Sequence, residues 1–337
     1  MNETFRQRWT RRSLTISVMF LVWFVMLGLY PVLLLVAVFA DLQRKRGWIW
    51  LRVALFSFWY VLFECLGILA AAGIWVLHLG GRDKEAFQQA NFRLQSWWTK
   101  MLATGSSQIF NTPFHVEGAQ EIAPGPILLL LRHASLTDTI LAGLFVAVPH
   151  GIMLRYVLKR ELLWDPCLDI VGNRLPNYFV DRASTHSEAE IEGVANLALG
   201  LREHEGVLIY PEGTRFSKKK QQRILEKLKA GDDPRAYQRA KALRHLLPPR
   251  LGGTLALLER NQNADIVFCA HAGLEKAATF DQLTNGELFN QTVYVKFWRV
   301  SFEDVPEERE KRIDWLFEQW RKIDDYIEEI EEKRQNT

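Results

Sequence analysis

Residues 13–40 run for 28 positions without one charged side chain. As a helix such a stretch is about 42 Å long, against the ~30 Å of a bilayer's hydrocarbon core. It predicts a membrane anchor, with the excess length absorbed by tilt or by a kink at Pro31. A second apolar run, 47–81, carries only Arg52, Glu64 and His78, and its Trp48, Trp50, Trp59 and Trp75 suit interfacial depths. The linker 41–46 is short, so the two runs are expected to form a helical hairpin. Glu64, near the middle of the second run, is costly in lipid and is expected to face the other helix or a wet groove. The first run is too long for a signal peptide, and no small-residue cleavage site precedes Asp41, so it reads as a retained anchor. Arg6, Arg8, Arg11 and Arg12 favour a cytosolic N-terminus, whereas Arg44, Lys45 and Arg46 argue the other way. A hairpin dipping into one leaflet reconciles them. Either arrangement leaves the remaining chain at the cytosolic face of a membrane, of the bacterial inner-membrane or endoplasmic-reticulum kind.

The 337 residues leave room for one further domain of ordinary size. A net charge of +3 is too small to indicate a nucleic-acid partner. Cys65, Cys167 and Cys269 are odd in number and contain no CxxC, so neither a disulfide framework nor a metal site is expected. An amphipathic helix is predicted over 82–108. Strands follow at 114–118, 126–132, 151–158, 178–181, 206–210, 265–271 and 292–300. Helices are expected at 136–148, 187–204, 252–259 and 307–333. This alternation predicts an α/β layered domain. The chain is expected to divide into a membrane hairpin (1–81), a connecting helix (82–112), an α/β domain (113–302) and a charged terminal helix (303–337). Within the third part, 217–251 is a basic insertion. Residues 218–250 hold eleven Lys or Arg against three acids. That stretch is either a solvated surface excursion or a lid or foot on anionic headgroups.

Three turns stand out, each at the C-terminal end of a predicted strand, where open α/β sheets bind ligands. The first is Arg132-His133-Ala134-Ser135-Leu136-Thr137-Asp138, where a helix opens. His133 is a candidate general base, with Asp138 fixing its tautomer and stabilising the cation formed. The same spacing also suits a helix cap. The second is Tyr210-Pro211-Glu212-Gly213-Thr214-Arg215, in which Arg215 offers a fork to a phosphate and Glu212 an acceptor to a hydroxyl. The third is Phe179-Val180-Asp181-Arg182, with a second cation. Ser135 is a conceivable nucleophile, but no G-x-S-x-G elbow contains it, and a helix-cap role suits it better.

In this order, behind an apolar N-terminus, the three turns resemble the motifs of the glycerolipid acyltransferases, most closely the 1-acylglycerol-3-phosphate (lysophosphatidic acid) type. The resemblance covers about residues 114–300. Lys159-Arg160-Glu161-Leu162 with Pro166 resembles the family's Lys-x-Glu-Leu segment, and His245-Leu-Leu-Pro-Pro-Arg250 resembles members with a long insertion after Glu-Gly-Thr-Arg. It implies a mostly parallel central sheet flanked by helices. It implies His133 as base and Asp138 as its partner. Glu212, Gly213, Thr214 and Arg215 would bind the acceptor headgroup, with Arg182 assisting and Lys159 reaching the phosphate. The donor would be acyl-CoA or acyl carrier protein and the acceptor a lysophospholipid, with membrane lipids as surroundings and no cofactor or metal. Other lysophospholipids, a lyso-aminolipid, or hydrolysis through Ser135 are the alternatives. The chain departs from the family pattern at Arg132, where Asn is usual. It departs again in the last apolar strand, where 266–269 lacks the usual Pro and His271 follows.

Overall fold

Ile127–Leu131 is five apolar residues, each fully buried, as a strand covered on both faces requires. In the computed structural model, which describes residues 3–44, 47–135, 138–181, 187–277 and 280–336, it lies inside a seven-stranded sheet. The strands are β1 (Phe114–Glu117), β2 (Ile127–Leu131), β3 (Met153–Lys159), β4 (Tyr178–Val180), β5 (Glu205–Ile209), β6 (Asp265–Ala272) and β7 (Val293–Val300). Their order is β1-β7-β6-β2-β5-β3-β4. From β6 to β4 every pairing is parallel, so these five strands deliver their C-terminal ends to one edge. Only β6 and β7 pair antiparallel, and β1 runs with β7.

The helices are α1 (Phe5–Arg44), α2 (Ile49–Leu77), α3 (Lys84–Phe110), α4 (Asp138–Ala142), α5 (Val148–His150), α6 (Pro166–Gly172), α7 (Ser187–Ala195), α8 (Lys218–Lys229), α9 (Pro234–Lys241), α10 (Leu251–Arg260), α11 (Phe280–Thr284) and α12 (Arg309–Gln335). Alternate residues of β2 serve two cores. Leu128 and Leu130 meet α10 and α12 through Leu255, Leu258, Trp320 and Ile327, whereas Leu129 and Leu131 meet Phe110, Leu141 and Val146 on the other face. The terminal helix therefore shares the core of the sheet. Its Ile313, Leu316, Trp320, Ile323, Ile327 and Ile330, three or four apart, make one buried stripe.

Three local features differ from the sequence expectation. The helix expected over 187–204 stops at Ala195, runs through a 3-10 turn Asn196–Ala198, and is turned by Gly200 at φ +60°, a left-handed conformation that glycine adopts without strain. The basic insertion folds as α8 and α9, whose Ser217 and Asp233 caps accept from the Lys220 and Ala236 amides. A short helix, α6, appears where none was expected, started by the Asp165 cap and Pro166.

α1 and α2 are each long and apolar enough to cross a membrane. They form a hairpin, with Asp41 accepting from the Trp50 and Leu51 amides at 3.0 and 2.9 Å and Tyr30 stacked on Phe58. The other side of α2 lies on the domain. Arg52 donates to the Ile109 carbonyl, Tyr60 to Asp165 Oδ2 (2.8 Å), and Arg174 to the Ala71 carbonyl (2.7 Å). Glu64 is fully buried beside Asp165 and Cys167, so it faces α6 rather than the other hairpin helix. The reason is that α2, sandwiched between α1 and the domain, turns this face inward. Arg12 binds Asp169 in a fork (3.0 and 3.2 Å) and Arg11 reaches the same carboxylate at 2.7 Å, so two of the four N-terminal arginines are tied to α6.

Candidate active site

β2 ends at Leu131, and the chain then turns across the sheet edge, with the Arg132 amide still bonded to the Cys269 carbonyl of β6. His133 follows, its side chain 12% exposed. Its Nδ1 lies 3.0 Å from Asp138 Oδ2, and the same oxygen accepts from the Ala134 and Ser135 amides at 2.6 and 2.8 Å. Asp138 opens α4 but caps the loop before it, so helix cap and histidine partner are one interaction. A carboxylate bonded to Nδ1 favours a proton there, which leaves Nε2 as the basic nitrogen. Among the described residues Nε2 carries no hydrogen bond. The Tyr210 ring, 4.6 Å from the imidazole, flanks it.

The turn after β5 is stitched to the turn after β2. The His133 amide donates to Glu212 Oε1 (2.8 Å), and the His133 carbonyl accepts from the Phe216 amide (3.1 Å). The second oxygen of Glu212 accepts from the Leu247 amide at 3.0 Å. Glu212 is 1% exposed with both oxygens occupied, so it sits beneath His133 rather than toward a headgroup. Burial pushes its carboxyl up to about 8, against the pull of these two amides and of Arg132. The Leu247 carbonyl in turn accepts from Trp320 Nε1 at 3.1 Å, and Arg250 closes the turn by donating its amide to Pro211. Gly213 at φ +65° permits this turn, and a Cβ there would come 2.8 Å from Arg250 Cδ.

Of the remaining predicted residues, those described sit on the same edge. Thr214 Oγ1 accepts from Lys220 Nζ at 3.0 Å, and Lys220 also reaches the Arg215 carbonyl. Arg215 is half-buried next to that pair. Lys159 ends β3, two strands from β2 and so about 10 Å across the sheet. Arg182 lies outside the described residues. Sequence reasoning missed Leu247 and Trp320, which hold Glu212 from the far end of the insertion, and Lys220, for which the Lys218-Lys219-Lys220 run was the available signal.

Residues 113–252 match the family model described as "Acyltransferase". These residues form an acyltransferase domain. The chain is 25% identical over 207 residues to 1-acyl-sn-glycerol-3-phosphate acyltransferase epsilon of Mus musculus, covering 58% of this chain and 55% of that one. It is 25% identical over 293 residues to 1-acyl-sn-glycerol-3-phosphate acyltransferase delta of Homo sapiens, covering 81% and 72%. The chain thus spans about half the length of the first relative and nearly three quarters of the second. Among solved structures, the 1-acyl-sn-glycerophosphate (LPA) acyltransferase PlsC of Thermotoga maritima aligns with TM-score 0.48 and 17% identity, over 80% of this chain and 95% of that one.

Proposed function

We propose that this acyltransferase moves a fatty acyl group from a thioester, acyl-CoA or acyl carrier protein, to the free hydroxyl of lysophosphatidic acid, giving phosphatidic acid. The observation that carries the reading is the His133–Asp138 pair on the C-terminal edge of the sheet, with Nε2 open. Nε2 takes the proton of the acceptor hydroxyl, and the oxygen attacks the thioester carbonyl carbon. The C–S bond breaks, and the departing thiolate recovers the proton from His133. Such base catalysis typically contributes ~10² to 10⁴ in rate. A thiol of pKa roughly 8.5 leaves readily, so these steps call for no metal or cofactor. Arg215 and Lys159 are the cations within reach of the acceptor phosphate, with Arg182 joining them on sequence grounds. Gly213 and Thr214 shape the turn that carries Arg215. The relatives, named for acting on 1-acyl-sn-glycerol-3-phosphate, favour lysophosphatidic acid over other lyso-lipids. Ser135 is fully buried, which disfavours it as a nucleophile.

The hairpin supplies the membrane context. α2 touches the domain from Arg52 to Ala71, about 28 Å of its length, so we read the hairpin as seated along the domain in one leaflet at the cytosolic face. In this reading 1–81 anchors, 82–112 connects, 113–302 reacts and 303–337 braces. An acceptor panel tests the substrate. With each donor in turn, lysophosphatidic acid is expected to give the highest kcat/KM, followed by mass spectrometry of the product. Equal or faster turnover on a zwitterionic lysophospholipid or a lyso-aminolipid would overturn the acceptor.

A further inference from the structure

Arg132, where this chain leaves the family pattern, and His271, which follows the strand that lacks the usual Pro, are bonded to each other. His271 Nε2 lies 3.1 Å from the Arg132 carbonyl, and Arg132 Nη1 donates to the His271 carbonyl. Each side chain thus holds the other's backbone, across β2 and β6. Both are buried, Arg132 at 2% exposure and His271 at 0%. Glu275 supports the pair from the turn after β6. It lies 3.5 Å from Arg132 Nη1 and accepts from the Gly273 amide. Burial raises the Glu275 carboxyl, but Arg132 and these amides outweigh it and hold it below the ordinary carboxylate range.

The pair sits directly behind the dyad. The carbonyl that His271 binds belongs to the peptide joining Arg132 to His133. Asp138 gives its Oδ2 to three donors, whereas Oδ1 is buried without a hydrogen bond among the described residues. The imidazole facing that open oxygen is His271, with Nε2 at 3.7 Å. A ring nitrogen that donates to a carbonyl must carry the proton, so the Nε2–H dipole of a neutral His271 points toward both the Arg132 carbonyl and Asp138 Oδ1. Burial keeps this imidazole below its ordinary value and therefore neutral, with Arg132 acting in the same sense and Asp138 opposing.

We propose that Arg132 and His271 form a reciprocal lock, and that His271 is the positioning residue of the dyad, fixing the His133 peptide and orienting Asp138 through its open oxygen. The inference rests on the reading of His133 as base. Removing the Nε2–H takes a dipole away from the Asp138 carboxylate, whose charge then acts more fully on the imidazolium. The acid limb of the kcat–pH profile should then move upward.

The test uses the full chain in detergent, with acyl-CoA and lysophosphatidic acid. His271→Leu is expected to lower kcat about ten- to a hundredfold. Acceptor KM should stay within about twofold, and the acid limb should rise by about half a pH unit. His271→Gln, which restores an N–H near the Nε2 position, should recover most of kcat and return the limb. Arg132→Asn combined with His271→Leu should lose less than the product of the two single losses, because the two act as one lock. Equal limbs in wild type and His271→Leu, or loss tracked wholly by the folded fraction, would overturn the proposal while leaving His133 as base. His133→Ala run beside them separates the two readings. Full activity in His133→Ala, or no transfer by wild type, removes the base and the lock together.

Discussion

Glu212→Gln separates holding from binding. Glu212 accepts one backbone amide on each oxygen, from His133 and Leu247. A glutamine keeps one acceptor and turns an NH₂ toward the other amide. One accepting oxygen is lost and a buried donor is left unpaired, a cost of about 1–3 kcal/mol. The His133 peptide is one of the two groups affected, so kcat should fall about ten- to a hundredfold with acceptor KM nearly unchanged. The pH dependence has a definite sign. In the folded protein burial holds the Glu212 proton up to about 8, so stability is full below the unfolded value near 4.5 and is lost as pH rises toward 8. Glutamine does not titrate. The Tm of wild type should therefore fall relative to that of the variant from pH 5 to pH 8, by an amount on the order of several kcal/mol in stability. Differential scanning fluorimetry across that range, beside steady-state kinetics, reads both effects. A raised acceptor KM with intact kcat would refute this and return Glu212 to the headgroup.

Two further perturbations test the parts around the site. Asp169→Ala strands Arg12, which is only 16% exposed, while Arg11 keeps Glu3 and the Leu163 carbonyl; it should cost about 2–4 kcal/mol and raise amide exchange over 5–15; unchanged exchange would mean the tie to α6 is incidental. In α8, Lys218, Lys219, Arg223, Lys227 and Lys229 form no ion pair among the described residues, and changing the five to Glu should lower turnover on anionic vesicles about tenfold and flatten its salt dependence. Equal turnover would make the insertion a plain surface excursion.

Much of the layout is legible in the chain because apolar periodicity reports burial directly. The run 13–40 reads as one long apolar helix and the five apolar residues of β2 as a buried strand, and the structure has both there. The His133–Asp138 pair is legible because it is local, closing over one loop. What depends on long-range closure is not. Glu212 follows a proline in a polar turn and looks exposed, and its burial arises from Leu247, 35 residues on, and from α12 behind it. Glu64 turns toward α6 because the domain covers α2, a fact of docking rather than of helix pattern. The partnership of Arg132 with His271 spans 139 residues, so each looks like an isolated irregularity until the two strands are side by side.

The central claim is that His133 drives direct acyl transfer to a lysophospholipid hydroxyl. Detergent-purified wild type and His133→Ala, each given long-chain acyl-CoA and lysophosphatidic acid, test it by thiol release and mass spectrometry of the lipid. Phosphatidic acid from wild type, with at least a hundredfold less from His133→Ala at equal folded protein, is the predicted result. Undiminished phosphatidic acid from the variant, or thiol release by wild type without it, would contradict the claim.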